Sequence, residues 1–145
     1  MGLDMYLTGV KMHRQYPLDQ NEWKSDTDNR PQMDGYPVSN TRLDIGYWRK
    51  HADLHGYIVN TFADGKDECQ EIELSAEDCK QIAEAVANNK LPHTEGFFFG
   101  NQEIRDEYEL ESVTHAKVWI DASKWMEGID KDTEYGRYVV YQASW

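Results

Sequence analysis

The sequence predicts an α+β domain in which a small antiparallel sheet, including the N- and C-terminal strands, is packed by about three helices. Apolar residues alternate with polar ones near the start of the chain, as in a half-buried strand, and the last eleven residues are rich in β-forming types. Three internal stretches instead carry apolar residues at three- and four-residue steps, as in helices. The length of 145 residues is usual for one domain, so we expect a single domain over residues 1–145.

The first strand is expected at residues 3–10, where Leu3, Met5 and Leu7 alternate with polar or exposed positions. Between about residues 13 and 41 the composition changes, with three prolines and many Asp, Asn and Gln residues. This composition predicts a long irregular excursion with room for a short hairpin.

The first helix is predicted to begin at a cap formed by Asp44 and to reach Phe62. Its apolar positions are spaced by three or four residues: Ile45, Trp48, Ala52, His55, Val59 and Phe62. A short strand is expected at 71–74, with Ile72 and Leu74 pointing inward.

The second helix is expected after Ser75, because Asp78, three positions later, completes a capping box. Its predicted buried stripe consists of Cys79, Ile82, Ala83 and Val86. A third helix is expected over about residues 103–127, followed by a last strand within 135–145. The third helix has two apolar sides, so it either bends near Lys117 or is enclosed at its middle. One side consists of Leu110, Val113, Ala116 and Ile120, and the other consists of Tyr108, Trp119, Ala122 and Met126.

The charge of the chain is unevenly placed along the sequence. Residues 1–62 hold eight acidic and seven basic residues, whereas residues 63–145 hold nineteen acidic and eight basic residues, so most of the net charge of −12 lies in the second part. Direct nucleic-acid binding is disfavoured because phosphate contacts need clustered Lys and Arg. A partner with a basic surface is compatible with this charge, which solubility alone would also explain.

The sequence lacks the patterns of secretion, membrane insertion and disulfide-stabilised folds. No apolar run approaches the roughly 20 residues that span a bilayer, and no signal peptide is recognisable. Cys69 and Cys79 are two cysteines without further partners, which predicts reduced thiols. We therefore expect a soluble cytoplasmic protein.

A candidate ligand site consists of Trp48, Arg49, His51 and His55. The two histidines lie one helical turn apart, a spacing that can hold a metal, but the position after the first histidine is alanine rather than the glutamate of zinc proteases. Both histidines fall within the apolar arc, which favours a core position and no metal. A pocket remains an alternative, with Trp48 stacking on a nucleotide-like anion, Arg49 pairing with it, and a histidine titrating near neutral pH.

A candidate partner surface combines acidic residues with an aromatic loop. The three successive phenylalanines of the 96–100 segment cannot all point inward, so Phe98 is a candidate interface anchor, although packing of the loop against the helices also explains it. Carboxylates four positions apart on a helix lie about 6 Å from each other, close to the phosphate spacing of one nucleic-acid strand. Such a ridge could imitate DNA, although solvated acidic helices are common. The acidic candidates are Glu71, Glu73, Glu103, Asp106, Glu107 and Glu111.

Motifs of catalysis and cofactor binding are missing from the sequence. It contains neither of the glycine-rich phosphate motifs GxxxxGK[ST] and GxGxxG, nor the GxSxG of hydrolases. Neither cysteine lies among the basic residues that would lower its pKa. The sequence thus predicts no catalytic residues and no cofactor, and it favours a non-enzymatic protein.

Four segments resemble a family of small proteins encoded by bacteriophages and prophage-bearing bacteria: MGLDMYL at 1–7, GYWRK at 46–50, GFFFG at 96–100 and YQASW at 141–145. The family has no established activity, so the resemblance implies no catalytic residues. It implies expression in the host cytoplasm during infection and action on host machinery. The leading hypothesis is therefore an acidic protein that binds a host macromolecule, such as a nucleic-acid enzyme or a defence component; the alternative is the small-ligand site.

Overall fold

The first and last strands of the chain pair with each other at the centre of the main sheet. A computed structural model describes residues 2–14, 30–49, 51–88, 90–91 and 105–145, with side chains of the last range described from residue 116. Strand β1 spans Asp4–Met12 and strand β6 spans Gly136–Ser144. They run antiparallel, from Asp4 opposite Ser144 to Met12 opposite Gly136. The predicted pairing of the terminal strands is confirmed.

Two further strands complete the sheet on either side of this pair. Strand β4 (Asn40–Arg49) lies beside β1 and strand β5 (Ile72–Leu74) lies beside β6, which gives the antiparallel order β4–β1–β6–β5. Strands β2 (Gln32–Met33) and β3 (Tyr36–Pro37) form a separate hairpin within the predicted excursion. The hairpin turns at Asp34 and Gly35, both at positive φ, as type I′ turns require.

Strand β4 corrects the predicted start of the first helix. The helix α1 spans Ala52–Phe62, so Asp44 is a strand residue rather than a cap. The cause is a β-bulge: Leu7 lies opposite Gly46 and Thr8 opposite Asp44, which leaves Ile45 as an extra residue in β4. The bulge puts Ile45 on the same face as Trp48 although they are three positions apart, a spacing that imitates one turn of a helix.

The second helix agrees with its prediction. Helix α2 spans Ala76–Ala87 and begins with the predicted capping box, in which the Ser75 hydroxyl accepts from the Asp78 N–H while the Asp78 carboxylate accepts from the Ser75 N–H. The predicted stripe of Cys79, Ile82, Ala83 and Val86 is buried.

The third helix, α3, spans Arg105–Glu127. One predicted apolar side is confirmed in its described part, where Trp119, Ala122 and Met126 are buried. The other side is wrong at Ile120, which is 41% exposed although Ala116 is buried. The reason is that α3 packs on α2 and on one face of the sheet, so a residue on its outer side reaches solvent. The remaining predicted apolar residues of this helix have side chains outside the described part.

The core lies between the three helices of the described ranges and one face of the sheet. Its largest buried side chains come from every layer: Leu3, Met5, Leu7, Leu54, Ile58, Leu74, Ile82, Trp119, Val139 and Tyr141. Gly9 permits the close approach of α3 to the sheet, because a Cβ there would lie 2.5 Å from the Ile45 Cδ1 and 2.8 Å from the Trp125 ring. Within the ranges the structure describes, no helix has both the length and the apolar character needed to cross a membrane.

Candidate functional site

Trp48 and Arg49 point to opposite faces of the sheet, because they are successive residues of strand β4. The Trp48 ring is buried on the helix-covered face and stacks on Trp119, with ring centroids 5.3 Å apart and an interplanar angle of 2°. Arg49 is exposed on the other face, and its Nε lies 3.1 Å from a carboxylate oxygen of Asp4. The sheet therefore separates the predicted stacking group from the predicted anion-binding group.

His51 acts as the N-cap of helix α1. Its ring is buried, and its Nδ1 lies 3.4 Å from the backbone nitrogen of Leu54, from which it accepts a hydrogen bond. A ring nitrogen that accepts carries no proton, so the cap requires this nitrogen to be unprotonated. The cap satisfies one of the backbone N–H groups that the first turn of a helix leaves without an intrahelical partner.

His55 connects helix α1 to the last strand through a buried network. The ionised Asp67 carboxylate can only accept, so the His55 Nε2 donates to it across 3.0 Å. The His55 Nδ1 then accepts from the Tyr141 hydroxyl, whose oxygen lies 2.6 Å away. Trp145 donates its indole N–H to the other Asp67 oxygen at 3.1 Å. The carboxylate that orients the His55 ring is therefore that of Asp67, twelve positions further along the chain.

The Asp67–His55–Tyr141 network has an acid, a base and a hydroxyl in series, but its base and hydroxyl are buried and only Asp67 is partly exposed. The Tyr141 side chain is fully buried. Burial, reinforced by the charge of Asp67, raises the pKa of the Tyr141 phenol well above its ordinary value, so the group stays protonated. A nucleophile must be reachable and must lose its proton, and this phenol is neither exposed nor acidic. The network therefore has the character of a structural connection.

Metal-ligand clusters do not occur in the described residues. No group of three His, Cys, Asp or Glu side chains within those ranges is arranged to hold a metal ion. His51 and His55, although one turn apart, make hydrogen bonds to different parts of the fold. Their contacts favour structural roles for both rings.

The structure describes the side chains of two of the predicted acidic residues. Glu71 and Glu73 are exposed on the face of the sheet opposite the helices, at its β5 edge. Phe98 and Glu103 lie outside the described residues. Residues 106, 107 and 111 belong to helix α3, but the side chains of Asp106, Glu107 and Glu111 lie outside the described part, so the acidic ridge on this helix stays a prediction.

The chain around strand β5 forms what we call the acidic edge, residues 67–78. It contains six acidic residues and no basic residue. Asp67 serves the His55 network and Asp78 the capping box. The four others have exposed side chains: Glu68, Glu71, Glu73 and Glu77. Glu71 forms an exposed ion pair with Arg42 at 3.4 Å, which contributes little to stability.

The face of the sheet opposite the helices carries a second feature that the sequence did not indicate, which we call the open sheet face. It consists of the outward side chains Tyr6, Thr8, Asp44, Tyr47 and Gln142. The rings of Tyr6 and Tyr47 lie 5.4 Å apart, tilted by 47°, and are 44% and 55% exposed. The alternation in residues 3–10 predicts an outward Tyr6, but its neighbour Tyr47 depends on the register of strand β4, where the sequence pattern predicts a helix.

An Asp4 carboxylate fixes the tyrosine pair at one end. The Tyr47 hydroxyl donates to Asp4 at 2.7 Å, and the same oxygen pairs with Arg49. The hydrogen bond to Asp4 raises the pKa of the Tyr47 phenol, so Tyr47 is a neutral donor and its ring is held in place.

Comparison with protein-family models, with curated proteins and with solved structures finds no significant match to this chain, so the evidence for function comes from its own residues. The resemblance to the phage-encoded family accordingly stays a prediction.

Proposed function

We propose that this protein is a non-enzymatic binding protein that engages a basic surface of a host macromolecule through its acidic edge. The observation that carries the proposal is that residues 67–78 include six acidic residues and no basic one, with four acidic side chains exposed on or beside an edge strand. An edge of one charge sign attracts partners of the opposite sign and speeds their encounter.

A host enzyme that acts on nucleic acid is the partner class that fits best, because such enzymes carry a basic groove for phosphates. Glu73 points outward from strand β5 and Glu71 immediately precedes this strand, so the two carboxylates lie two positions apart, about 7 Å from each other in an extended chain. The predicted ridge of helix α3 has a similar spacing of carboxylates. Occupation of the groove by these carboxylates would exclude the nucleic acid, which is the action of a DNA mimic.

The proposal of a non-enzymatic role does not rest on the lack of a nucleophile or a metal site among the described residues. The support comes from what the candidate groups do: Trp48, His51 and His55 are buried and contact protein groups. The small-ligand alternative would need these side chains to face a bound molecule.

The acidic edge also has a protective effect, because charged residues on an edge strand prevent pairing with other chains. The test must therefore separate binding from self-association. Size-exclusion chromatography of each variant reports self-association independently of partner capture.

The experiment compares two triple variants with equal charge. The edge variant carries Glu71→Gln, Glu73→Gln and Glu77→Gln. The control variant carries Asp34→Asn, Asp121→Asn and Asp132→Asn, three exposed positions outside residues 67–78. Both variants lose three negative charges, so a difference between them reports position rather than net charge.

Immobilised wild-type protein is expected to retain nucleic-acid enzymes from host lysate at low salt and to release them at high salt. The edge variant should lose these proteins and the control should keep them. A purified captured enzyme should then lose its affinity for DNA when the wild-type protein is added. Capture that is equal for the two variants, or no specific capture at low salt, would contradict the proposal.

A further inference from the structure

A depression of about 600 Å³ lies on the open sheet face, within the range of volumes usual for ligand sites. Tyr6 and Tyr47 lie opposite each other across strands β1 and β4, and Thr8 and Asp44 form the next outward pair. Successive outward residues on β1 are about 7 Å apart, so the tyrosines and the carboxylate border the same depression.

The bulge in strand β4 shapes the floor of this depression. Between the two outward pairs, β4 contributes Ile45 and Gly46. Ile45 packs toward the core, and Gly46 also faces it, since a Cβ there would lie 2.8 Å from the Trp48 ring, so neither residue projects into the space outside the sheet. The bulge thus leaves the stretch of β4 between Tyr47 and Asp44 without an outward side chain.

The charges around the depression favour a cation. Arg49 is paired with Asp4 and Arg42 with Glu71, so the two arginines on this face already have carboxylate partners. Asp44 is exposed, and the structure records no ion pair for it within the described part of the chain. With a net charge of −12 on the whole molecule, a bound anion would meet repulsion and a cation attraction.

We propose that this depression receives an arginine side chain from the basic segment of a partner protein, with the guanidinium against the tyrosine rings and paired with the Asp44 carboxylate. A planar guanidinium stacks on aromatic rings and forms two parallel hydrogen bonds to one carboxylate, which the ammonium of lysine cannot do. The inference rests on the proposed function, because it supplies a specific contact for the basic partner that the acidic edge attracts.

The test uses two synthetic peptides of equal charge, hexa-arginine and hexa-lysine, titrated by calorimetry against the 145-residue protein. Asp44→Asn removes the carboxylate charge and keeps the side-chain shape. Tyr6→Thr and Tyr47→Thr remove the rings and keep β-branched residues that suit a strand. The edge variant described above serves as the control for general electrostatic attraction.

Wild-type protein should bind hexa-arginine more tightly than hexa-lysine. Asp44→Asn, and the two tyrosine substitutions combined, should each weaken hexa-arginine binding roughly three- to tenfold, with a smaller effect on hexa-lysine. The edge variant should weaken both peptides alike. Thermal melting identifies any variant that fails to fold, and Asp44→Asn, a change at an exposed side chain, carries the test if the tyrosine variants do not fold.

Two results distinguish this inference from the function on which it rests. If Asp44→Asn and the tyrosine variants bind hexa-arginine as the wild type does, while the edge variant loses both peptides, the arginine site is refuted and the acidic edge retains its support. If the wild type shows no preference between the peptides, the arginine site is likewise refuted. Failure of the proposed function appears separately, as equal host-protein capture by the edge and control variants.

Discussion

Replacing Tyr141 by phenylalanine removes one oxygen atom from the buried network and keeps the ring that packs in the core. The lost hydroxyl is the hydrogen-bond donor of the His55 Nδ1, 2.6 Å away, and the His55 ring is 2% exposed. Water cannot readily replace the donor at such a depth, so a buried acceptor is left without a partner. Such a loss costs about 1–3 kcal/mol of the free energy of unfolding.

Each 1 kcal/mol shifts the melting temperature of a domain of this size by roughly 2–4 °C, so Tyr141→Phe should lower it by about 2–12 °C. Urea denaturation gives the free energy directly. The matched control is Tyr57→Phe, which removes an exposed hydroxyl that accepts from Gln81 at 3.2 Å and should change stability by less than about 0.5 kcal/mol.

A double-mutant cycle tests whether the cost belongs to the hydrogen bond. In a His55→Leu background the Tyr141 hydroxyl has already lost this acceptor, so its removal should cost at least about 0.5 kcal/mol less than in the wild type. Equal melting temperatures for Tyr141→Phe and Tyr57→Phe would refute the reasoning. In that case the network would contribute nothing to stability, and a functional role for His55 would regain its support.

Three further predictions concern the thiols, a buried ion pair and a close packing contact. Burial raises the pKa of the Cys79 thiol to about 12, so at pH 8 only about one molecule in ten thousand carries its thiolate. A disulfide reagent should therefore modify the partly exposed Cys69 in the native protein, and Cys79 only after denaturation. The Arg137 guanidinium, 2.7 Å from Glu134, lowers the pKa of the Glu134 carboxyl, so the ion pair stabilises the fold fully above the unfolded pKa of about 4.3 and stops doing so as the pH falls through the folded pKa. Glu134→Gln should therefore lower the free energy of unfolding at pH 7 and reduce the decrease of that free energy between pH 7 and pH 3. An unchanged acid dependence would contradict this. Gly9→Ala should lower the free energy of unfolding by about 1–3 kcal/mol, because its methyl group would collide with Ile45 and Trp125. Gly136→Ala, which has open space around it, should be neutral or stabilising. Equal stabilities for the two variants would contradict the packing argument.

The elements that the sequence predicted correctly depend on interactions between near neighbours. The capping box of Ser75 and Asp78 spans three positions, and the stripe of helix α2 repeats within single turns. Strand β5 and the first strand follow from simple alternation, and the last strand follows from its β-forming composition. Local patterns of this kind carry the information for their own structure.

The parts that were missed depend on residues far apart in the chain. The bulge at Ile45 gives strand β4 a helix-like spacing, and only the partner strand β1 shows which structure forms. His55 and Tyr141 are separated by 86 positions and Tyr6 and Tyr47 by 41, so neither contact has a local signature. The structure does not bring Trp48 and Arg49 together for the same reason, since successive residues of a strand point to opposite faces of the sheet.

The pairing of strands β1 and β6 imposes a delay on folding during synthesis. The paired residues that lie nearest to each other along the chain, Met12 and Gly136, are still 124 positions apart, and translation proceeds at roughly 5–20 residues per second. Strand β1 is therefore synthesised about 6–25 s before strand β6, with which it pairs at the centre of the sheet. A nascent chain in that interval presents Leu3, Met5 and Leu7 without their final cover, so its yield in the cell should respond to the supply of chaperones that shield unfinished sheets.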